Sequence, residues 1–193
     1  MRRLAGLTVV FCLAYASAHA QSWGLPQLMQ SLAQVRTASA SFTERQTSPV
    51  LSAPLISMGT LTYVAPDYLR KVTVTPQPEN FVLDHDQVTI SGAAGSHVFA
   101  LNQDPRIAGL VEGIRGTLAG DLPVLEQFYN VSLRGNASSW QLNLSPKNMK
   151  LQHFIRAMII TGSEGQIGII DTQSADGSDS QLSIHAGAVA DAP

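Results

Sequence analysis

Between Met58 and Pro76 the chain alternates. Gly59, Leu61 and Tyr63 fall on one parity, Thr60, Thr62 and Val64 on the other, and Ala65-Pro66 ends the run. A second run, Leu69 to Thr75, follows at once and stops at Pro76. Period-two alternation over runs this short predicts antiparallel strands, and proline marks their ends because it lacks the amide hydrogen a ladder needs. The segment reads as a twisted hairpin. The same texture predicts strands over Ala40 to Gln46, Phe81 to Asp84, Val88 to Ser91 and His97 to Leu101, with Asp84-His85-Asp86 as a tight turn. Later strands are predicted over Val131 to Arg134, Trp140 to Ser145, Ile155 to Thr161, Ile167 to Gln173 and Gln181 to Ile184, separated by Gly135-Asn136, Gly162 to Gly165 and Asp176-Gly177-Ser178.

Helical spacing appears in two longer stretches. Leu25, Leu28, Met29, Leu32 and Val35 recur on one stripe, with Pro26 suited to a first turn. Ile107, Leu110, Val111, Ile114 and Leu118 form a second stripe behind Asp104-Pro105 as cap and first turn. Gly109, Gly113 and Gly116 lie inside that second helix, and each interior glycine costs about 1 kcal/mol relative to alanine. By propensity it is weak, so it depends on what its stripe covers. A short third helix is predicted over Leu122 to Phe128, capped by Asp121. The fold class expected is mainly β with some helix. About eleven antiparallel strands in one sheet must curl into an incomplete barrel to bury an apolar face. Trp140, Leu142 and Leu144 against Gln141, Asn143 and Ser145 show that face most clearly.

The first twenty residues change the compartment. Arg2 and Arg3, an apolar run from Leu4 to Ala16 and then Ala18-His19-Ala20 have the layout of a secretory signal peptide cleaved before Gln21. That apolar run is too short to span a bilayer, which takes roughly 20 apolar residues. Residues 21–184 are expected to form one domain in the periplasm, and 185–193, rich in alanine, a loose tail. Cys12, the single cysteine, lies within the signal behind the bulky Phe11, which argues against a lipid-anchor site. Disulfides, thiolate metal sites and cysteine catalysis are therefore excluded from the mature part. Without Arg2 and Arg3 the chain has 10 basic and 14 acidic side chains, a net charge of −4, which argues against nucleic acid as a partner.

Candidate chemistry is sparse. Asp84, His85 and Asp86 form the best metal-like cluster, but neighbours on a tight turn diverge, and a solvated turn is the expected reading. His97, His153 and His185 lack ligand-spaced partners. Gly162-Ser163-Glu164-Gly165 lacks the spacing of a nucleophile elbow. No catalytic residue, metal or cofactor is called for. With 45% apolar residues the sequence offers surface and volume, and a curled sheet closed by helices makes a pocket for an apolar ligand. From periodicity alone the same residues serve equally well as plain core.

The hairpin, together with Ala40-Ser41-Phe42-Thr43-Glu44 before it, resembles the LolA family of periplasmic lipoprotein carriers. Phe81 to Ile90, Leu118-Ala119-Gly120-Asp121, Trp140-Gln141-Leu142-Asn143-Leu144-Ser145-Pro146 and Asp176-Gly177-Ser178-Asp179 extend the likeness in order over Leu25 to Ile184. The resemblance implies a half-open, eleven-stranded barrel with helices as a lid over an apolar cavity for the acyl chains of a lipid or lipoprotein. Phe42, Leu61, Tyr63, Leu69, Phe81, Leu83, Leu142 and Leu144 are then expected to bind lipid, with Ile107, Leu110, Val111, Ile114 and Leu118 as the lid. It also implies a monomer that takes cargo from an inner-membrane exporter and delivers it to an outer-membrane acceptor. A lipid-sensing or interaction module of the envelope is the alternative. Two residues depart from the family's pattern: Ala65 replaces an arginine that holds the lid, and Lys71 replaces an aromatic in the following strand. The C-terminal extension is also short. These departures leave an amphiphile other than a lipoprotein, such as a glycolipid or polyene lipid, as an alternative cargo.

Overall fold

The turn-forming residues divide the chain into a continuous series of antiparallel strands interrupted once by helices. The structure, a computed structural model, describes residues 23–186. The segment expected to direct export, with Cys12 and the expected cleavage point before Gln21, lies outside the described residues, as do residues 187–193. Helix α1 (Leu25–Ala33) leads into β1 (Thr37–Thr47), β2 (Leu55–Val64), β3 (Tyr68–Thr75), β4 (Glu79–Asp84), β5 (Gln87–Gly92) and β6 (Gly95–Ala100). After a 3-10 turn at Leu101–Gln103 come α2 (Pro105–Ala119) and α3 (Leu122–Phe128). Then follow β7 (Tyr129–Asn136), β8 (Ser139–Pro146), α4 (Met149–Gln152), β9 (Ile155–Ser163), β10 (Gln166–Ser174) and β11 (Asp179–Ala186).

All eleven strands belong to one sheet, in the order β6-β5-β4-β3-β2-β1-β11-β10-β9-β8-β7. The first and last strands meet in the middle, with Phe42 opposite Ile184. Two meanders run outward from that seam to β6 and β7, which stay unpaired with each other, so the barrel is open. Both prolines that end the hairpin strands, Pro66 and Pro76, follow cis peptide bonds.

Helix ends follow local capping chemistry. The Asp104 carboxylate accepts the Arg106 amide at 2.9 Å, and the Asp121 carboxylate accepts that of Val124 at 3.0 Å. Helix α2 stops at Gly120, whose φ of +64° suits glycine, and the Asp121 amide bonds back to the Gly116 carbonyl at 2.8 Å. Helix α1 ends at Ala33, earlier than its apolar spacing predicts, because the Val35 amide already closes a tight turn onto Leu32. Helix α4 went unpredicted, since one turn is too short to show a period; the Asn148 side chain caps it.

Two expectations fail at element ends. Leu101 does not end β6 but sits buried in the 3-10 turn, its amide on the Asp86 carbonyl at 2.7 Å. His185 and Ala186 are not loose: they pair with Ser41 and Ala40, because β1 extends far enough to hold them.

The apolar side chains form two clusters. The larger joins Leu28, Met29 and Leu32 of α1 and Leu125 of α3 to Trp140, Leu142, Leu144, Met158, Ile160 and Ile170 of the sheet. The smaller centres on Leu83, Val88, Leu101 and Val111, with Leu69, Phe81, Ile90, Phe99 and Ile107 packed against it.

Candidate functional site

Strand register carries the parity of β1 across the whole sheet. Phe42 faces Gly59, and Ala40 faces Leu61; Leu61 faces Lys71, and Tyr63 faces Leu69; Lys71 then faces Phe81, and Leu69 faces Leu83. On the other side Glu44 faces Leu182, which leads through Ile170 and Ile160 to Leu142. Successive strand residues point to opposite faces, so all eight residues expected to bind lipid share one face, the one the helices cover. Six of them, on β1 to β4, are neighbours. Leu142 and Leu144 stand apart on β8, fully buried in the larger cluster beneath α1 and α3. Phe42 and Tyr63 are buried and Leu83 fully so, whereas Leu61, Leu69 and Phe81 are half-buried.

Helix α2 lies across both clusters. Val111 and Ile107 join the smaller one, Leu110 and Ile114 pack against the larger one, and Leu118 is half-buried. Its most deeply buried face is the glycine ridge. A methyl group at Gly109 would lie 2.0 Å from Leu151 Cδ1, at Gly113 3.0 Å from Met158 Cε, and at Gly116 2.9 Å from Leu125 Cδ2. The glycines, expected only to weaken this helix, also let it approach the sheet and its neighbours closely. Three contacts fasten it. Tyr129 donates its hydroxyl to the Gly109 carbonyl at 2.6 Å. Arg115 binds Glu112 of its own helix at 2.5 and 3.1 Å, and reaches the His85 carbonyl and Asp86 in the β4–β5 turn, each at 3.2 Å. Burial, then the nearby Glu112, pushes the Tyr129 phenol well above its ordinary range.

A polar group stands within this apolar face. Glu44, buried on β1 in step with Phe42, accepts hydrogen bonds from Lys71 Nζ, Ser180 Oγ at 2.6 Å and Gln46 Nε2 at 3.1 Å. The Lys71 ammonium also lies 5.1 Å from the centroid of the Phe42 ring. Burial raises the Glu44 carboxyl, but the charge of Lys71 and these three hydrogen bonds outweigh it and hold the group below its ordinary 4.5. Farther along β2, the buried Tyr63 hydroxyl has no hydrogen-bond partner among the described residues. Such an orphan group costs about 1–3 kcal/mol of desolvation, while burial raises its phenol.

Sequence reasoning missed Glu44, Ser180 and Gln46. The signal was present in part, since Ala40, Phe42 and Glu44 share a parity and a carboxylate on an apolar face demands a partner. The metal-like turn is a turn, with His85 at φ +55°. His85 Nδ1 bonds Asp84 at 2.7 Å, and this bond, with the charge of Asp67 next in weight, raises the imidazole above its ordinary value. Among the described residues no group of three or more His, Cys, Asp or Glu is placed to hold a metal ion. No helix among them is long and apolar enough to cross a membrane. Two cavities, of about 280 and 460 Å³, lie against the outer face, the first lined by Arg45, Asp171 and Gln181 and the second by Arg134, Gln141 and Thr161.

A search of curated proteins gives no match. Among solved structures, the chain is similar to a LolA superfamily protein of Nitrosomonas europaea at 10% identity and TM-score 0.47, covering 88% of this chain and 95% of that one. The MucA/MucB complex of Pseudomonas aeruginosa matches at 13% identity and TM-score 0.46, covering 83% of this chain and 55% of that one. The lipoprotein LppX of Mycobacterium tuberculosis matches at 12% identity and TM-score 0.44, covering 83% and 92%. The family model described as outer membrane lipoprotein carrier protein LolA-like matches residues 16–193, and the chain belongs to that family.

Proposed function

We propose that this protein is a periplasmic carrier that holds the acyl chains of a lipid or lipoprotein on its concave face and ferries them from the inner to the outer membrane. The observation that carries the reading is the arrangement of that face: apolar residues on one parity from β4 to β8, with α2 laid across both clusters. Membership of the LolA-like carrier family supports it. In the state seen here the chain's own side chains fill the concavity, so cargo enters when α2 lifts. The half-buried Leu61, Leu69 and Phe81 then form the first acyl surface, beside Phe42, Tyr63 and Leu83.

Each CH₂ buried is worth about 0.8 kcal/mol, so a sixteen-carbon chain crossing water uncovered costs on the order of 12 kcal/mol. A carrier that offers an equivalent apolar surface removes most of that cost and remains reversible, because release needs only a surface of similar quality. The fastenings of α2 suit such a cover. Arg115 spans from the helix to the β4–β5 turn through long, partly exposed contacts, which break without stranding an apolar core. On this reading an inner-membrane exporter supplies the cargo and an outer-membrane acceptor receives it.

The test is extraction of the purified protein for mass spectrometry, with uptake of a fluorescent fatty acid measured in parallel. An acyl-bearing molecule in the extract and saturable uptake are expected. Absence of both overturns the reading.

A further inference from the structure

Large exposed apolar side chains of the described residues gather at one end of the sheet. Val50 and Leu51 lie at the tip of the β1–β2 loop, and Val50 is 90% exposed. Leu55, Ile56 and Met58 open β2 beside that loop, and Val74 stands on β3 next to Thr75, the partner of Met58. The corner continues across the neighbouring turns. A Cβ at Gly177 of the β10–β11 turn would lie 3.4 Å from Pro49 Cγ, and the Ala175 amide of that turn donates to the Phe154 carbonyl at 2.9 Å. Phe154 and Met149, both exposed, thus share this end with Val50. Exposed apolar residues scattered singly need no explanation, but a cluster of them marks an interaction surface.

Shape and composition identify what meets this corner. Successive strand residues face opposite sides, so Leu55 lies on the concave side and Ile56 and Met58 on the outer side. The apolar surface therefore wraps around a projecting rim instead of lining a groove, and a projection is covered on all sides by a fluid apolar medium. From Gln46 to Pro66 no side chain is charged, and from Gln46 to Thr62 none is aromatic, whereas protein interfaces draw most of their energy from Trp, Tyr and Arg anchors. The loop also presents few free backbone donors: Pro49 and Pro54 have none, and the Leu51 amide is bonded to the Ser48 carbonyl at 3.0 Å. Hydrocarbon penalises each unbonded donor. Lys147 and Lys150, exposed on either side of Met149, suit the level of lipid headgroups. The turns at the opposite end carry Asp67, Asp84, Asp86 and Glu164, which an apolar medium excludes. We propose that this corner docks on a lipid bilayer, with Val50 and Leu51 entering the boundary between headgroups and acyl chains. Asp176 in the adjoining turn keeps the contact shallow, and because the tip is uncharged the contact needs no anionic lipid. From Leu55 the concave parity of β2 runs on to Leu61, so docking here sets one end of the proposed acyl face at the membrane. The surface is complete with or without cargo, so it and the carrier reading fail separately.

The experiment is flotation of the processed protein, purified from the periplasmic fraction, with vesicles of phosphatidylcholine and phosphatidylethanolamine. The unaltered protein should float with them. Val50→Asp combined with Leu51→Asp should lower its partition about tenfold or more, since two aliphatic side chains leave the contact. Val64→Asp, at the exposed far end of β2, should leave partition unchanged. Cys12 is the single cysteine and lies in the segment expected to be removed, so Val50→Cys and Val64→Cys each give one site for an environment-sensitive NBD label. Vesicles should brighten and blue-shift the label at position 50 and leave that at 64 as it is. No flotation, an equal loss with Val64→Asp, or an equal response of the two labels overturns the docking surface. Flotation only with vesicles containing phosphatidylglycerol assigns binding to the basic side chains and overturns it too. So does sedimentation as a dimer that the paired aspartates disperse, which gives the corner to a second copy of the chain. Fatty-acid uptake is read on the same samples: uptake without flotation leaves the carrier reading standing, and flotation without uptake leaves the docking surface standing alone.

Discussion

Both halves of the sheet lay an aromatic ring over a cross-strand glycine, and the two pairs are used differently. On the C-terminal side Trp140 faces Gly162, where an added Cβ would lie 2.4 Å from the indole and 2.0 Å from the Gln166 carbonyl. On the N-terminal side Phe42 faces Gly59, where it would lie 2.9 Å from the ring and 1.8 Å from the Val72 carbonyl. Trp140 is closed in: its indole N–H donates to the Glu164 carbonyl at 2.9 Å, and leucines, Met158 and Ile160 surround it in the larger cluster. Phe42 instead carries the Lys71 ammonium beside its ring, with Glu44 next to it on the same strand. One pair completes an apolar core, and the other stands beside a buried ion pair. The carrier reading expects the half under α1 and α3 to be the more stable, and the half around Phe42 to be the one that exchanges its packing for a ligand.

The largest test of that contrast removes each ring. Trp140→Ala should cost about 3–5 kcal/mol in urea unfolding, as large aromatic truncations in closed cores do. Phe42→Ala should cost less, because the half-buried neighbours and the Lys71 stem can settle into the space; equal costs would erase the distinction between the halves. The glycines come next. Gly162→Ala and Gly59→Ala each force backbone or ring movement and should each cost about 1–3 kcal/mol, read as loss of thermal stability. Only Gly59→Ala should also weaken fatty-acid uptake.

The two buried tyrosines sharpen the comparison further. Tyr129→Phe removes a second donor from the Gly109 carbonyl, which keeps its bond within the helix, and should cost about 1 kcal/mol. Tyr63→Phe removes a hydroxyl that has no partner among the described residues and should be neutral or stabilising by a fraction of that, a difference that paired denaturation curves will show. The smallest effect is in pH. The Glu44 carboxyl lies below 4.5 in the folded chain and returns to its ordinary value on unfolding. Its contribution is therefore fully present above about pH 4.5 and is lost as pH falls through the folded value. Glu44→Gln should flatten that part of the stability profile below pH 4.5 and leave the profile at neutral pH parallel to that of the unaltered protein.

Much of this architecture was legible in the order of residues. Alternation gave all eleven strands, because a strand's two faces are written directly in residue parity. Pro66 and Pro76 marked where the hairpin strands end, and Asp104 and Asp121 marked helix starts, since capping is a local reaction of a side chain with the next few amides. Within strands parity grouped Leu61 with Tyr63 and Phe81 with Leu83, the family resemblance singled out these residues with Phe42 and Leu69, and register joins them on one face. Parity left unread the partners of Glu44, since Lys71 and Ser180 stand 27 and 136 residues away and meet it only through strand pairing. The glycines of α2 were visible as a local weakness, and their role in close approach to Leu151, Met158 and Leu125 appears only once the helix is docked.

The sequence by itself determined the eleven strands, the three longer helices and the apolar parity within each strand, all governed by interactions within a few residues. The tertiary structure alone decided that β1 and β11 close the middle of the sheet, that α2 spans two clusters, and that Lys71 and Ser180 meet the buried Glu44 on the apolar face. Those are consequences of register and docking, in which each residue's role depends on neighbours far along the chain, and no local pattern records them.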